Sequence, residues 1–259
     1  NDCYLSYNDH SLVVDSAGNL HLVYYGFSDN AGGNEEIYYL TNSTGVWTWA
    51  NVSQINSFGD NQQRPAIGVD PNGVVHIVWE AYVPGLLAPE LLYVNNAGGV
   101  WGTPVNITQT ELISENDPTL AVDSQGGLHI ACLNETLNEV VYIYRSPTGV
   151  WSSIEKINPY PFDDILNVMS IVTDSSNNPH IAFIAYNSSS LYTELYLSSR
   201  MGGSWNIPVN VSQNWDTAIR EDEVSMDIDS QNQIHLCWEW YNGTDYGLTY
   251  TVGSVIMYN

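Results

Sequence analysis

The stretch Pro65-Ala-Ile-Gly-Val-Asp-Pro-Asn-Gly-Val-Val-His-Ile-Val-Trp79 decides the fold. It reads as two short apolar strands around a turn, because Pro, Asn and Gly cluster between two runs of β-branched residues. Its fixed frame is an Asp, five residues, then a His followed by an apolar residue. The frame returns as Asp15 and His21, Asp70 and His76, Asp123 and His129, Asp174 and His180, and Asp229 and His235, which uses five of the six histidines. Successive Asp residues lie 55, 53, 51 and 55 positions apart. Self-similarity at such a period is the mark of a repeat architecture.

Working outward, each unit reads as four strands. The first is short and ends on the Asp, as in Ser11-Leu-Val-Val-Asp15 and Thr119-Leu-Ala-Val-Asp123. The second starts at the His. The third centres on a Tyr (Tyr39, Tyr93, Tyr142, Tyr196, Tyr250), and the fourth follows a Trp (Trp47, Trp101, Trp151, Trp205), with Tyr258 in that place in the last unit. In the first strand, side chains alternate between faces. Ser11, Ala66, Thr119, Ser170 and Ser225 are small and share one face, which suits a crowded axis; Leu12, Ile67, Leu120, Ile171 and Met226 share the other, which suits packing between units. No segment carries a long 3.6-residue apolar period, so helix is not expected. Four-stranded sheets repeated radially protect their edges. The expectation is an all-β, five-bladed β-propeller of four-stranded antiparallel blades, a single domain over 1–259. The last unit ends early, with Val255 to Asn259 as a short fourth strand. Residues 1–9 match the connection that enters other units, so the termini would meet between the fifth and first blades. The early end is compatible with a fragment of a longer protein.

Charge narrows the partners. There are 29 Asp plus Glu against 5 Lys plus Arg, a net charge of −24. Such a surface repels phosphate backbones and anionic headgroups, which argues against nucleic acid and membranes; it suits cations, neutral glycans or basic proteins. No apolar run is long enough to span a bilayer. Of three cysteines, Cys132 and Cys237 fall in apolar strand patterns as buried thiols, and a Cys3–Cys237 bridge stays open. Asn-x-Ser/Thr acceptors begin at Asn42, Asn51, Asn106, Asn134, Asn187, Asn210 and Asn242. Three share one place in the repeat, as a repeated strand sequence or as glycan-bearing outer strands. With only one Lys in the chain, they favour an extracellular or cell-surface location.

The frame, with Leu92-Tyr93, Gly99-Val-Trp101 and Pro104-Val-Asn-Ile-Thr108, resembles the degenerate Asp-box repeats of sialidase-like propellers of microbial surface proteins. That resemblance implies the propeller fold. It does not extend to sialidase catalysis. The turns Ser43-Thr-Gly-Val-Trp47, Ala97-Gly-Gly-Val-Trp101 and Met201-Gly-Gly-Ser-Trp205 lack the Asp of the family, and Arg64, Arg145, Arg200 and Arg220 are spread over the repeat rather than set as a convergent triad.

Each repeated His lies on a different unit, so convergence on one metal is not expected; packing against its own Asp is. The acidic, aromatic connections that share the other face hold the candidate ligand-binding residues: Glu80, Tyr82, Asp117, Asp163, Glu239, Trp240 and Tyr241. Carboxylates beside aromatic rings suit a Ca2+ ion or a stacked sugar, or equally a solvated acidic rim. No catalytic residue and no organic cofactor is assigned. The expectation is a non-catalytic recognition module for glycan or protein. Two alternatives remain: a glycoside hydrolase or lyase using Glu80, Asp117, Asp163 and Glu239 as paired carboxyls, and a self-assembling subunit of a surface layer or filament.

Overall fold

A computed structural model describes residues 5–27, 35–53, 61–157, 162–187, 192–212 and 220–254. The described residues are built from antiparallel sheets, with one short 3-10 turn at Ala97–Gly99 and no α-helix. The first sheet runs β1 (Leu5–Val14), β2 (Leu20–Phe27), β3 (Glu35–Thr41), β4 (Thr48–Asn51). The second runs β5 (Gln62–Val69), β6 (Val75–Ala81), β7 (Glu90–Asn95), β8 (Val105–Asn106). The third runs β9 (Glu115–Val122), β10 (Leu128–Asn134), β11 (Glu139–Arg145), β12 (Glu155–Lys156). In the fourth, β13 (Asp164–Thr173), β14 (Pro179–Asn187) and β15 (Tyr192–Met201) are followed by β16 (Ser204–Trp205) and β17 (Val209–Asn210), both paired with β15. The fifth holds β18 (Arg220–Ile228), β19 (Gln233–Tyr241) and β20 (Tyr246–Ser254); the fourth strand expected over Val255 to Asn259, like Cys3 and the meeting of the termini, lies outside the described residues.

The repeated Asp is a turn cap. In every sheet its Oδ1 accepts the backbone N–H groups two and four residues on, for example Gln125 and Gly127 on Asp123, each at 2.8 Å. The other oxygen faces the His, at 3.1 Å for Asp123 and His129 and 3.7 Å for Asp70 and His76. The far ring nitrogen meets a tyrosine hydroxyl on the third strand: Tyr39, Tyr93, Tyr142 or Tyr250. Burial pulls the His76 ring down to about 4 and lowers His129 and His180. These rings are therefore neutral struts at neutral pH.

The fourth sheet departs from the expected register. Ser170 pairs with Ala182 and Ala182 with Leu197, so Leu197, not Tyr196, occupies the place of the other tyrosines. Tyr196 consequently points at the third sheet and packs on Phe162 and Phe183. A one-residue slip moves a side chain to the opposite face. His180 finds Ser199 Oγ instead, at 2.7 Å.

Both faces of the inner strands pack between sheets, which corrects the axial placement of the small residues. Ala66 belongs to the apolar cluster between the second and third sheets and Ile67 to that between the first and second. Small side chains let the next inner strand approach: the N–H of Met226 donates to Ser170 Oγ across two sheets, at 3.2 Å. Four apolar clusters join the sheets in sequence order, first to second through fourth to fifth. Each of the first three gaps carries an aromatic interlock, in which Tyr39, Tyr93 or Tyr142 meets Trp101, Trp151 or Trp205 edge-on at 4.9–5.1 Å.

Candidate functional site

The inner strands are longer than the sequence suggested and carry a bulge before the repeated Asp. The pairing breaks between Gln63 and Ala66, between Asn116 and Thr119, and between Asp222 and Val224. Bulges re-aim side chains. The residue at each bulge, six before the Asp, is in the left-handed region: Arg64 (φ 50°), Asp117 (φ 53°) and Glu223 (φ 40°). Such conformations cost about 1–3 kcal/mol and concentrate where a side chain must point in one direction.

On the second and third sheets this brings three charges together. Arg64 Nη1 donates to Glu80 Oε2 and Arg64 Nε to Asp117 Oδ1, each at 2.9 Å. Glu80 is 4% exposed, on the second strand of its sheet directly after Trp79. Burial pushes its carboxyl up, against the pull of Arg64. The arrangement places two carboxyl groups from neighbouring sheets on one guanidinium, with the Glu80 carboxyl raised by its burial.

The other candidates do not join this cluster by any described bond. Tyr82 follows β6 and is 47% exposed. Asp163 is exposed at the start of the fourth sheet, its N–H on the Tyr186 carbonyl. Glu239 stands opposite Asp222 in the fifth sheet. The Trp240 ring lies over Gly247, where any Cβ would collide with it at 2.4 Å. Tyr241 stacks on Tyr246 with centroids 4.4 Å apart. Among the described residues no group of three metal-ligating side chains converges. The arginines do not converge on one carboxylate either. Arg145 stacks over Tyr93 and Trp151, Arg200 pairs with Glu155, and Arg220 pairs with Asp222.

The sequence reading missed a row of buried acids at the start of the third strands. Glu36, Glu90 and Glu194 stand three residues before Tyr39, Tyr93 and Leu197, and all are buried. Glu90 accepts the backbone N–H groups of Thr110 and Glu111, and Thr108 Oγ1 at 2.5 Å. The spacing Glu-x-x-Tyr was the available signal. These acids also explain the repeated Asn-x-Ser/Thr. Asn51 and Asn106 each accept the N–H of the residue two on, and that residue's hydroxyl (Ser53 or Thr108) caps Glu36 or Glu90. The Asn51 Nδ2 atom is buried and Asn134 is 5% exposed, so the folded chain leaves no room for a glycan there. Asn42 uses its Oδ1 on the Leu20 N–H, Asn210 its Oδ1 on Ser212, and Asn242 its Oδ1 on Thr244 and Asp245; Asn187 ends β14. Cys132 is a buried free thiol, its pKa raised by burial, and Cys237 is a half-buried free thiol.

A cleft of about 350 Å3 opens elsewhere, at the Asp–His end of the gap between the third and fourth sheets, lined by Tyr144, Glu155, Asn177 and Arg200 among others. Its polar groups are largely engaged with one another, whereas Glu80 and Asp117 belong to the opposite ends of their strands.

Sheets of this kind, stacked face to face in chain order, define a β-propeller type of fold, and comparison with solved structures agrees. No protein-family model matches the chain, and no curated protein matches it. An endo-arabinase from Bacteroides thetaiotaomicron is similar at 12% identity, over 97% of this chain and 94% of that one, with a TM-score of 0.55. Polysaccharide lyase Uly1 is similar at 9% identity, over 97% and 71%, with a TM-score of 0.64. A protein of unknown function from Dyadobacter fermentans is similar at 11% identity, over 96% and 79%, with a TM-score of 0.65. At these identities the likeness is one of fold.

Proposed function

We propose that the five sheets are the blades of a propeller that hydrolyses a neutral glycan outside the cell or at its surface, with Glu80 and Asp117 as the working carboxyl pair. The observation that carries this reading is the pairing itself: two carboxyl groups from adjacent inner strands, held by Arg64, one of them buried and raised. Glycoside hydrolysis needs that asymmetry. Glu80 would protonate the leaving glycosidic oxygen as the C–O bond breaks. The Asp117 carboxylate would stabilise the developing positive charge and assist the water whose hydroxyl joins the anomeric carbon. Several structures of similar fold are named as glycan-active enzymes, which supports the same class. The net charge of −24 favours a neutral polymer over a uronate or sulfated one.

The test is release of reducing ends from a panel of neutral and acidic polysaccharides, with Glu80→Gln and Asp117→Asn beside the parent. Turnover of a neutral polymer, reduced by about 100-fold or more in each variant, supports the reading. Retention of full activity in both removes these residues from it. Binding without turnover leaves the recognition module, for which the exposed Tyr82 and the Tyr241–Tyr246 stack are the aromatic platforms.

A further inference from the structure

The cleft between the third and fourth sheets sits where two repeated positions differ from their copies. The third-strand residue paired with each repeated His is, in turn, Thr41, Asn95, Tyr144, Ser199 and Val252. Only the third sheet sets an aromatic ring there. The residue four after each repeated Asp, in the capped turn, is Asn19, Val74, Gly127, Asn178 and Gln233. Only the third sheet omits the side chain, and the ring requires it: a Cβ at Gly127 would lie 2.6 Å from the Tyr144 hydroxyl oxygen. The Tyr144 ring packs against His129 with centroids 5.0 Å apart. It is half-buried and lines the cleft.

The engaged groups fix the walls. Asn177 Oδ1 accepts the N–H and the hydroxyl of Ser124, at 3.1 and 2.8 Å, which ties together the two turns at the rim. Asp123, His129 and Tyr142 form one bonded chain. Arg200 Nε donates to Glu155 Oε2 at 3.3 Å, so these two charges offset each other. Against these walls, the Tyr144 hydroxyl, the Gln125 side-chain amide and Asn177 Nδ2 make no hydrogen bond among the described residues. Burial and the Asp123 charge raise the Tyr144 pKa, so its hydroxyl keeps the proton it can donate. The volume of about 350 Å3 falls at the small end of the roughly 300–1,000 Å3 of small-molecule sites. A ring beside spare amides and a hydroxyl, with the nearby charges already matched, suits a ligand rich in hydroxyls and without charge. We propose that this cleft binds a short uncharged saccharide, with a sugar ring against Tyr144 and its hydroxyls on Gln125 and Asn177. The site stands at the opposite ends of the strands from Glu80 and Asp117. It therefore holds glycan without cutting it, and it does not depend on the hydrolytic reading.

The test follows backbone amide shifts by NMR in isotope-labelled Glu80→Gln protein, in which the proposed hydrolysis is removed. The probes are cellobiose, xylobiose, arabinobiose and galactobiose, with digalacturonate as the charged comparison. At least one neutral disaccharide should move the amides of Gln125, Asn177 and Gly203 along a saturable curve. Tyr144→Ala should weaken that binding about 10-fold, and Tyr144→Phe by less, because the ring stays. Gln125→Ala, at an exposed position whose side chain makes no described bond, should weaken it without disturbing the fold, and it decides the matter if Tyr144→Ala does not fold. Cleft amides that no neutral probe moves overturn the proposal, and so does movement by digalacturonate alone. Shifts confined to Arg64 and Asp117 overturn it while supporting the hydrolytic reading. Cleft binding that is unaltered by the Tyr144 and Gln125 variants overturns it too.

Discussion

Asp123 shows how much one side chain can organise. Its carboxylate holds the turn through two backbone N–H groups and fixes the His129 ring, which in turn fixes Tyr142 in the next layer of packing. Close approach matters as much as bonding. A Cβ added at Gly68 would lie 2.5 Å from Val122 Cγ2 on the neighbouring inner strand. Gly68→Ala is expected to cost about 1–3 kcal/mol, read from urea unfolding; an unchanged midpoint would show that β5 and β9 have room to part. Glu115 gives a pH-dependent case. Burial raises it from 4.5 to about 7, against the Thr110 hydroxyl and with the help of the Glu90 charge. Thr110 Oγ1 stands 2.7 Å from Glu115 and 3.3 Å from Glu90, and one hydroxyl proton serves only one of them. A folded value above the unfolded one means stability that is complete below about pH 4.5 and lost as pH rises through about 7. Glu115→Gln should therefore stabilise the fold at pH 8, by on the order of 2–3 kcal/mol, and change little at pH 4. Equal effects at both pH values would contradict the assignment.

At the scale of elements, the interlocked rings carry the gaps. Trp151→Ala removes the edge-on contact with Tyr93 and the stack under Arg145. It should cost about 3 kcal/mol, while Trp47→Ala, at an exposed side chain, should cost under about 0.5 kcal/mol. Thermal melts separate the two, and equal losses would mean that Trp47 is covered. The same elements show what was legible in the sequence. The Asp–His frame was readable because its chemistry is local: a capped turn and one neighbouring strand fix it within six residues. The register of the fourth sheet was not. Tyr196 lies nine residues before Trp205, matching Tyr142 and Trp151, yet the latter interval contains an extra turn residue, Pro147. The inner-strand bulges were also hidden, because Arg64-Pro65 and Asp117-Pro118 look like loop residues until pairing resumes on their far side. The candidate Glu80 and Asp117 were named among many acids. Only the side-chain geometry around Arg64 singled them out.

For the whole molecule, charge and site act together. A surface of net −24 should disfavour a uronate polymer relative to a neutral one of the same backbone length, and raising the ionic strength should narrow that gap. Initial rates on the two polymers at low and high NaCl check this, and a salt-independent preference for the acidic polymer would contradict it. Whether Glu80 supplies the proton to the leaving oxygen is read by comparing Glu80→Gln on two substrates of the same sugar. One is the glycan, whose alkoxide leaving group needs a proton; the other is a nitrophenyl glycoside, whose leaving group does not. Glu80→Gln should lose about 100-fold or more on the glycan with the nitrophenyl glycoside largely spared. An equal loss on both substrates, or no loss on either, would contradict it.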